Sequence, residues 1–436
     1  MLFALTWARP LWLDELLTLL TNREATLAAR LATIHQAPGA VPLGYEVPRL
    51  LIQWLGFSVF TARFPSEVFS VLALGGMLLA AREIGTRGLV FVGVTWAVLP
   101  LLLRYAVEGR PYALALLLSV ASTILLFRLM RDPRLRWAAL YLLTLAAGLY
   151  TQPYTVFLQA GLAAPLLFQR DARRAFWLAA ASLAGAALLF APWLLTSAHN
   201  WTTYALAMEE TFTLQPRLPL MLLREISGGG YVCSLSLLAF VAAGCLSRNV
   251  GNLVKRQLFA GAAGCVLLAL VCDVAFGYFF AIRQVISALV PLGLLAGEGW
   301  AEVRERWGPS PRWVLLAALV ASSVVKDTRH FRDRSENWEL GAQRLERASR
   351  TGCILYLRGD LPGFYEFFEP ALETRACGPA PHTHTVAVPI TRYSIPEEVR
   401  RLPDVLAAQG YHAAAVAGAG ETIEIRTYSR AAPVQP

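Results

Sequence analysis

Ten stretches of apolar residues, separated by short polar breaks, occupy the chain between residues 62 and 326. A helix needs about 20 residues to cross the hydrocarbon core of a bilayer, so the shorter stretches must extend into their flanking loops. Backbone polar groups in hydrocarbon must be paired within their own segment, which predicts ten transmembrane helices. They lie at about 62–81, 88–103, 111–128, 137–152, 154–169, 175–196, 231–247, 257–276, 283–300 and 313–326.

The tail beyond about residue 336 has a different pattern, in which apolar and polar residues alternate over short distances. This pattern predicts helices over 337–350 and 396–409 and strands over 353–358, 411–418 and 422–428. About 100 residues suffice for one small α/β domain. We therefore expect an α-helical polytopic membrane protein with three parts: a first loop with juxtamembrane helices (1–61), a transmembrane domain (62–326) and a C-terminal α/β domain (327–436).

The amino-acid composition supports a membrane protein, because 56% of the 436 residues are hydrophobic and only 16% are charged. An ordinary soluble domain contains about 25% charged residues, which it needs to cover its surface. A soluble enzyme, a disordered chain and a collagen-like protein are therefore excluded.

The distribution of Lys and Arg predicts the orientation of the chain in the membrane. The loops at 82–87, 128–136, 170–174, 248–256 and 301–312 contain 15 Lys and Arg, whereas the intervening loops contain 5. Basic residues accumulate in cytoplasmic loops, so the first loop, the loop at 104–110 and the C-terminal domain are predicted to be extracytoplasmic. The net charge of +9 is then an orientation signal and not a nucleic-acid surface.

The N-terminus does not fit this topology by itself. Ten spans would place both chain ends outside, yet Met1–Ala8 is too short to cross a bilayer and is not a signal peptide. We expect Met1–Ala8 to be the outer end of a first helix that is missing from this chain.

The six cysteines fall into two groups. Cys233, Cys245, Cys265 and Cys272 lie in apolar stretches and are expected to be packing residues. Cys353 and Cys377 lie in the polar tail, where the sequence leaves their pairing open.

An acidic pair, Asp14-Glu15, follows Leu11-Trp12-Leu13 in the first outer segment. Carboxylates at the edge of hydrocarbon lose solvation, which raises the pKa and makes a carboxylate a competent general base near neutral pH. The alternative is structural, because Asp14 could be the N-cap of the helix that follows.

The second outer loop contains Glu108 and Arg110, directly before Pro111, which is well suited to begin a helix. One interpretation is a solvated surface ion pair, worth about 0–1 kcal/mol. The functional alternative is an acid that organises a hydroxyl group, beside a guanidinium group that holds a phosphate.

These motifs occur in a colinear order over nearly the whole chain, and together they resemble the GT-C superfamily of polytopic glycosyltransferases. The likeness is to the bacterial branch near the protein O-mannosyltransferases and the aminoarabinose transferase of lipid A. The elements that carry it are Leu11-Trp12-Leu13-Asp14-Glu15, Pro42-Leu43-Gly44-Tyr45, Arg63-Phe64-Pro65-Ser66, the Glu-x-Arg-Pro-Tyr pattern between Tyr105 and Tyr112, Ala191-Pro192-Trp193, Arg283 and Asn337-Trp338.

The resemblance implies an inverting transferase that takes a sugar, a hexose or a pentose, from a polyprenyl-phosphate donor. The acceptor would be a hydroxyl group on a lipid, a glycan or a protein, at the outer face of a bacterial inner membrane. Asp14 would match the catalytic base and Glu15 its acidic neighbour. The implied donor-phosphate and substrate-binding residues are Glu108, Arg110, Tyr112, Arg283, Gln152 and Tyr45.

The chain departs from the family pattern at two positions. Relatives often carry His-Pro-Pro-Leu where this chain has Ala40-Val41-Pro42-Leu43, and a histidine where it has Gln152. Both departures fall where an acceptor or a metal would be held. No cofactor is implied with certainty, and a divalent metal ion is left open.

Two other functions are compatible with a polytopic membrane chain. A transporter or flippase for lipid-linked saccharides would be expected to show inverted repeats and broken helices, and the sequence shows neither. A non-catalytic partner in cell-envelope assembly would bind no donor, and the two departures from the family pattern favour it.

Overall fold

The computed structural model describes residues 5, 9–37, 39–207, 216–276, 281–333, 336–377 and 383–430. Most of Met1–Ala8, on which the prediction of a missing first helix rests, lies outside the described residues. The chain forms two compact units, one from Glu24 to His330 and the other combining the segment that ends at Arg23 with the chain from Phe331 onwards.

The first unit is helical. In chain order its helices are α2 (Leu27–Gln36), α3 (Leu43–Leu55), α4 (Val59–Glu83), α5 (Leu89–Val98), α6 (Pro100–Ala106), α7 (Tyr112–Arg131), α8 (Leu135–Leu149), α9 (Thr155–Ala163), α10 (Arg173–Ala207), α11 (Leu218–Glu225), α12 (Gly230–Leu246), α13 (Asn252–Phe276), α14 (Leu289–Trp307) and α15 (Pro309–Arg332). Short 3-10 turns at Ala164–Phe168, Arg170–Ala172 and Ile282–Ala288 connect some of them.

Each predicted apolar stretch lies in one or two of these helices. Within the described residues, five helices are long and apolar enough to cross a membrane, or up to seven if two bent pairs each count as one span. The bends are 64° between α5 and α6 and 81° between α11 and α12. The helical membrane architecture is therefore confirmed, whereas the count of ten spans stays a prediction.

Small residues allow helices in the first unit to approach closely. A Cβ atom on Gly299 of α14 would lie 1.7 Å from the carbonyl oxygen of Phe240 in α12, and one on Gly244 would lie 2.0 Å from that of Leu295. Lipid offers no hydrophobic driving force between helices, so membrane bundles rely on this kind of close backbone packing. The α12–α14 pair is consequently a tightly packed part of the core.

The second unit combines one N-terminal helix, α1 (Leu13–Arg23), with an α/β domain. The domain contains α16 (Trp338–Ala348), β1 (Cys353–Ile354), α17 (Pro362–Phe368), β2 (Thr385–Thr391), α18 (Pro396–Ala408), β3 (Tyr411–Gly418) and β4 (Ile423–Arg430), with a 3-10 turn at Pro370–Arg375. The sheet order is β1-β2-β4-β3, in which β1 and β2 are parallel and the other pairs are antiparallel.

The predicted elements α16, α18, β3 and β4 are confirmed, but β2 was not predicted, although it is almost entirely buried between β1 and β4. A proline argues against an internal strand, since it cannot donate to a neighbouring strand, and β2 contains Pro389. The structure resolves this conflict because β1 pairs only with Val386 and Ala387. Pro389 therefore lies beyond the end of β1, where no donor is needed on that side.

Cys353 and Cys377 form a disulfide bond in the α/β domain, with their Cα atoms 5.0 Å apart and a sequence separation of 24. The pairing that the sequence left open is thus decided. Cys233, Cys245, Cys265 and Cys272 are free thiols, of which Cys233 and Cys265 are fully buried. The bond ties β1 to the segment after α17.

We predict that replacing both Cys353 and Cys377 with serine lowers the free energy of unfolding of the α/β domain by about 3 kcal/mol, because the unfolded chain regains the entropy of a closed loop. Thermal unfolding of the purified full chain in detergent measures the effect. Cys272→Ala, at a free thiol in the first unit, is the control. Equal stability of the double variant and the unaltered protein would contradict the prediction.

Candidate functional site

The acidic pair lies in the first turn of α1. The helix begins at Leu13, so Trp12 occupies the N-cap position and Asp14 is already inside the helix. The buried carboxylate of Glu15 accepts a hydrogen bond from the backbone N–H of Trp12, with an N–O distance of 3.4 Å. Glu15 therefore caps the helix by the reach-back interaction of a capping box. Asp14 is therefore not the N-cap of α1, and its side chain is half-buried.

Both ends of α1 are attached to the α/β domain of the same unit. At its start, the backbone N–H of Leu13 donates to the Glu336 carboxylate at 3.2 Å. At its end, the Arg23 guanidinium lies 4.1 Å from the ring centre of Phe367 and donates to the Phe367 carbonyl oxygen. Between these ends, Leu16 and Leu19 are buried. The acidic pair is thus held on a helix whose position the C-terminal domain determines.

In the first unit, the turn between α6 and α7 places Glu108 and Arg110 beside two buried tyrosines. The rings of Tyr105 and Tyr112 pack at a centroid distance of 4.5 Å, and the Arg110 guanidinium lies 6.0 Å from the centre of the Tyr112 ring. Glu108 is only 5% exposed. The alternative of a solvated ion pair does not describe Glu108, because the burial of a carboxylate is costly unless its environment compensates for it.

Three other sequence motifs meet this turn. A Cβ atom on Gly44 would lie 2.7 Å from Cβ of Pro111 and 3.5 Å from the carbonyl oxygen of Thr151. The backbone N–H of Leu43 donates to the carbonyl oxygen of Tyr150 at 2.9 Å. The Ser66 hydroxyl donates to the carbonyl oxygen of Arg110 at 3.3 Å. The structure therefore brings residues 43–45, 63–66, 108–112 and 150–152 together.

Arg283 belongs to the same cluster of charges. It lies in the 3-10 turn before α14, and it interacts electrostatically with the Tyr105 side chain, as do Glu108 and Arg104. The tyrosine pair therefore interacts with three guanidinium groups, two from the α6–α7 turn and one from a distant turn, and with one carboxylate. We call Arg104, Tyr105, Glu108, Arg110, Tyr112 and Arg283 the α6–α7 cluster.

Arg104 has further partners that the sequence did not single out. Its guanidinium lies 2.9 Å from Nδ1 of His330, near the end of α15, and it also attracts the carboxylate of Asp327. The helix that carries Asp327 and His330 is more than 200 residues away along the chain, so only the tertiary structure could reveal this contact. In the sequence, the feature that could have indicated a role for Arg104 is its position in the same predicted outer loop as Glu108.

Tyr45 and Gln152 are placed differently from the charged residues. The Tyr45 side chain is buried in a small apolar cluster with Ile34 and Ala40. The backbone of Gln152 lies in the turn between α8 and α9. Its N–H donates to the carbonyl oxygen of Gly148, and its carbonyl oxygen accepts from the backbone N–H and the hydroxyl group of Thr155. Both residues lie within segments that approach Pro111, and their predicted roles in substrate binding stay predictions.

Within the described residues, no group of three or more His, Cys, Asp and Glu side chains could hold a metal ion.

Comparison with solved structures shows that the chain has the fold of the GT-C superfamily of membrane glycosyltransferases, a fold of multi-pass membrane proteins. ArnT from Cupriavidus metallidurans in the apo state matches with a TM-score of 0.62 and 13% identity, over 98% of this chain and 95% of that chain. ArnT bound to undecaprenyl phosphate matches with a TM-score of 0.61 and 14% identity, over the same shares. The resemblance inferred from the motifs is thereby confirmed at the level of the fold.

Archaeal oligosaccharyltransferase AglB from Archaeoglobus fulgidus, in complex with an inhibitory peptide and a dolichol-phosphate, matches with a TM-score of 0.51 and 11% identity, over 98% of this chain and 71% of that chain. Another structure of that transferase was determined with Zn and sulfate. No family model and no curated protein matches the chain.

We predict that Gly44→Ala destabilises the first unit by about 1–3 kcal/mol, because the added methyl group overlaps with Pro111 and forces α3 away from the α6–α7 turn. The midpoint of thermal unfolding of the full chain in detergent measures the loss. Gly75→Ala is the matched control, since a Cβ atom there has no atom within 4 Å. If both variants unfold at the same temperature, the close approach at Gly44 is not important for stability.

Proposed function

We propose that this protein is a membrane glycosyltransferase that moves a sugar from a polyprenyl-phosphate donor to an acceptor hydroxyl group. The observation that carries the proposal is the α6–α7 cluster, in which Arg104 and Arg110 of one turn and Arg283 of a distant turn interact with a buried tyrosine pair. A planar, permanently charged guanidinium matches the oxygens of a phosphate better than any other side chain does. The fold alone would not specify this chemistry.

The proposed donor site is built from the arginines of the cluster. When the bond between the anomeric carbon and the phosphate oxygen breaks, the polyprenyl phosphate leaves with the bonding electron pair. Arg110 and Arg283 would stabilise the negative charge that develops on the phosphate. The structure of ArnT bound to undecaprenyl phosphate supports a lipid-linked phosphate as the ligand of this fold.

Asp14 is proposed as the base that accepts the proton of the acceptor hydroxyl group. The hydroxyl oxygen then forms a bond to the anomeric carbon on the side opposite the leaving phosphate, so the configuration is inverted. One carboxylate suffices, because a phosphate leaves without protonation, unlike the sugar oxygen in glycoside hydrolysis. Glu15 contributes indirectly, since its carboxylate caps the helix that presents Asp14.

We further propose that the site faces the outside of a bacterial inner membrane. The asymmetry of Lys and Arg between alternate loops supports this orientation. The Cys353–Cys377 disulfide supports it independently, because disulfide bonds form and persist in oxidising compartments such as the bacterial periplasm.

A transporter of lipid-linked saccharides is the second candidate that the architecture allows. The bends between α5 and α6 and between α11 and α12 favour it, because broken helices are common in transporters. The two functions differ in their product. A transferase releases free polyprenyl phosphate, whereas a transporter leaves the bond between sugar and phosphate intact.

We expect Asp14→Asn to abolish sugar transfer while the protein remains folded in the membrane, because an amide cannot accept the proton of the acceptor. The assay follows release of undecaprenyl phosphate from a panel of radiolabelled undecaprenyl-phosphate hexoses and pentoses by purified protein with bacterial envelope lipids and proteins. Asp404→Asn, an exposed aspartate on α18, should be fully active. Activity of Asp14→Asn close to that of the unaltered protein would refute the assignment of the base.

Arg110→Ala and Arg283→Ala should each weaken binding of undecaprenyl phosphate by about 10- to 100-fold, the loss expected for one charged hydrogen-bond donor. Binding is measured with the lipid itself, by its protection of the purified protein against thermal unfolding. Arg136→Ala, at an exposed arginine that pairs with the partly exposed Asp132, is the control. Unchanged affinity for undecaprenyl phosphate in both site variants would refute the proposed donor site.

A further inference from the structure

The carboxylate of Glu336 links the start of α1 to the α/β domain. It is 8% exposed and accepts three hydrogen bonds within the second unit. The donors are the backbone N–H of Leu13 at 3.2 Å, the indole N–H of Trp338 at 2.8 Å and the guanidinium of Arg392 at 3.2 Å. A buried carboxylate with several donors is held in one orientation, because each lost bond would leave a polar group unpaired.

Arg392 extends this arrangement toward the acidic pair. Its guanidinium lies 4.8 Å from the ring centre of Tyr393 and donates to the Tyr393 hydroxyl group. The Asp14 carboxylate interacts electrostatically with both Arg392 and Tyr393. Arg392 thus donates a hydrogen bond to the buried Glu336, and its positive charge also attracts the Asp14 carboxylate.

Trp338 packs against Tyr393 in the core of the domain. Its indole ring is fully buried and lies nearly parallel to the Tyr393 ring, with an interplanar angle of 15° and a centroid distance of 6.5 Å. Phe364 and Tyr365 of α17 pack edge-on against the same indole. The two residues that act on Asp14 therefore rest on the aromatic core of the domain, which limits their movement.

We propose that Glu336 and Arg392 are positioning residues, through which the C-terminal domain sets the orientation of the Asp14 carboxylate. This inference rests on the proposed function of Asp14 as the base. Glu336 holds the backbone one residue before Asp14, and Arg392 attracts its side chain. A base must stay within hydrogen-bond reach of the proton that it accepts, so loss of either contact should slow the chemical step more than it weakens substrate binding.

The kinetic test uses the full-length protein with the radiolabelled undecaprenyl-phosphate sugar on which the unaltered protein is active. Glu336→Gln and Arg392→Gln should lower kcat by tenfold or more, with the donor KM changed less than twofold. Arg392→Lys, which keeps the positive charge, should recover part of the loss. Glu346→Gln is the matched control, because Glu346 also forms ion pairs with two arginines of this domain, Arg350 and Arg375. These arginines, Arg350 more than Arg375, lower the pKa of the Glu346 carboxyl group.

A second measurement is independent of activity. Hydrogen exchange of the backbone in a peptide covering residues 11–20 should become at least tenfold faster in Glu336→Ala, because the Leu13 N–H loses its acceptor. The same peptide should be unaffected in Glu346→Ala. Unchanged exchange, or unchanged kcat in both Glu336→Gln and Arg392→Gln, would overturn the inference.

The outcomes separate this inference from the function on which it rests. If Asp14→Asn is inactive while the Glu336 and Arg392 variants keep full kcat, the positioning role fails and the base assignment stands. If Asp14→Asn is fully active, the base assignment itself fails. Equal loss of kcat in Glu346→Gln would show a general effect of the domain and would also overturn the positioning role.

Discussion

A phosphate anion that leaves during a reaction is stabilised best by positive charge that is already held in place, because water and mobile ions must reorganise at a cost in free energy. The α6–α7 turn of this protein provides such charge. Arg110 lies two residues before α7, near the Tyr112 ring, and Arg283 interacts electrostatically with Tyr105 from a later turn. The turn is itself held by the close approach of Gly44 to Pro111 and by Ser66. The donor chemistry proposed for this protein depends on that cluster.

The acidic pair is supported in a different way. The helix α1 has only 11 residues, and Glu15, the neighbour of the proposed base, caps it by accepting a hydrogen bond from the backbone N–H of Trp12. An isolated helix of this length is marginal in water, so its stability must come from contacts with the rest of the protein. Those contacts come from the α/β domain, through Glu336 at the start of α1 and Phe367 at its end. The acidic segment and the C-terminal domain thus form one structural unit.

Much of the architecture could be predicted from periodicity alone. A continuous apolar stretch can only be a helix in hydrocarbon, and the amphipathic pattern of Trp338–Ala348 specifies a helix with one buried face. The failures occurred where local and tertiary signals disagree. β2 was not predicted, and it contains Pro389, which the short extent of β1 tolerates. The bends at α5–α6 and α11–α12 left the number of spans undetermined, because hydropathy does not report the angle between two helices.

The sequence by itself determined the class of protein, the predicted orientation in the membrane and the two motifs that carry the proposed chemistry. These follow from composition, from the distribution of basic residues and from residue types at fixed spacing, all of which are local properties. Only the tertiary structure decided that Cys353 pairs with Cys377, that Arg104 contacts His330, and that Glu336 receives the N–H of Leu13. The partners in the last two contacts are 226 and 323 residues apart. No local pattern encodes such contacts, because they exist only once the intervening chain has packed.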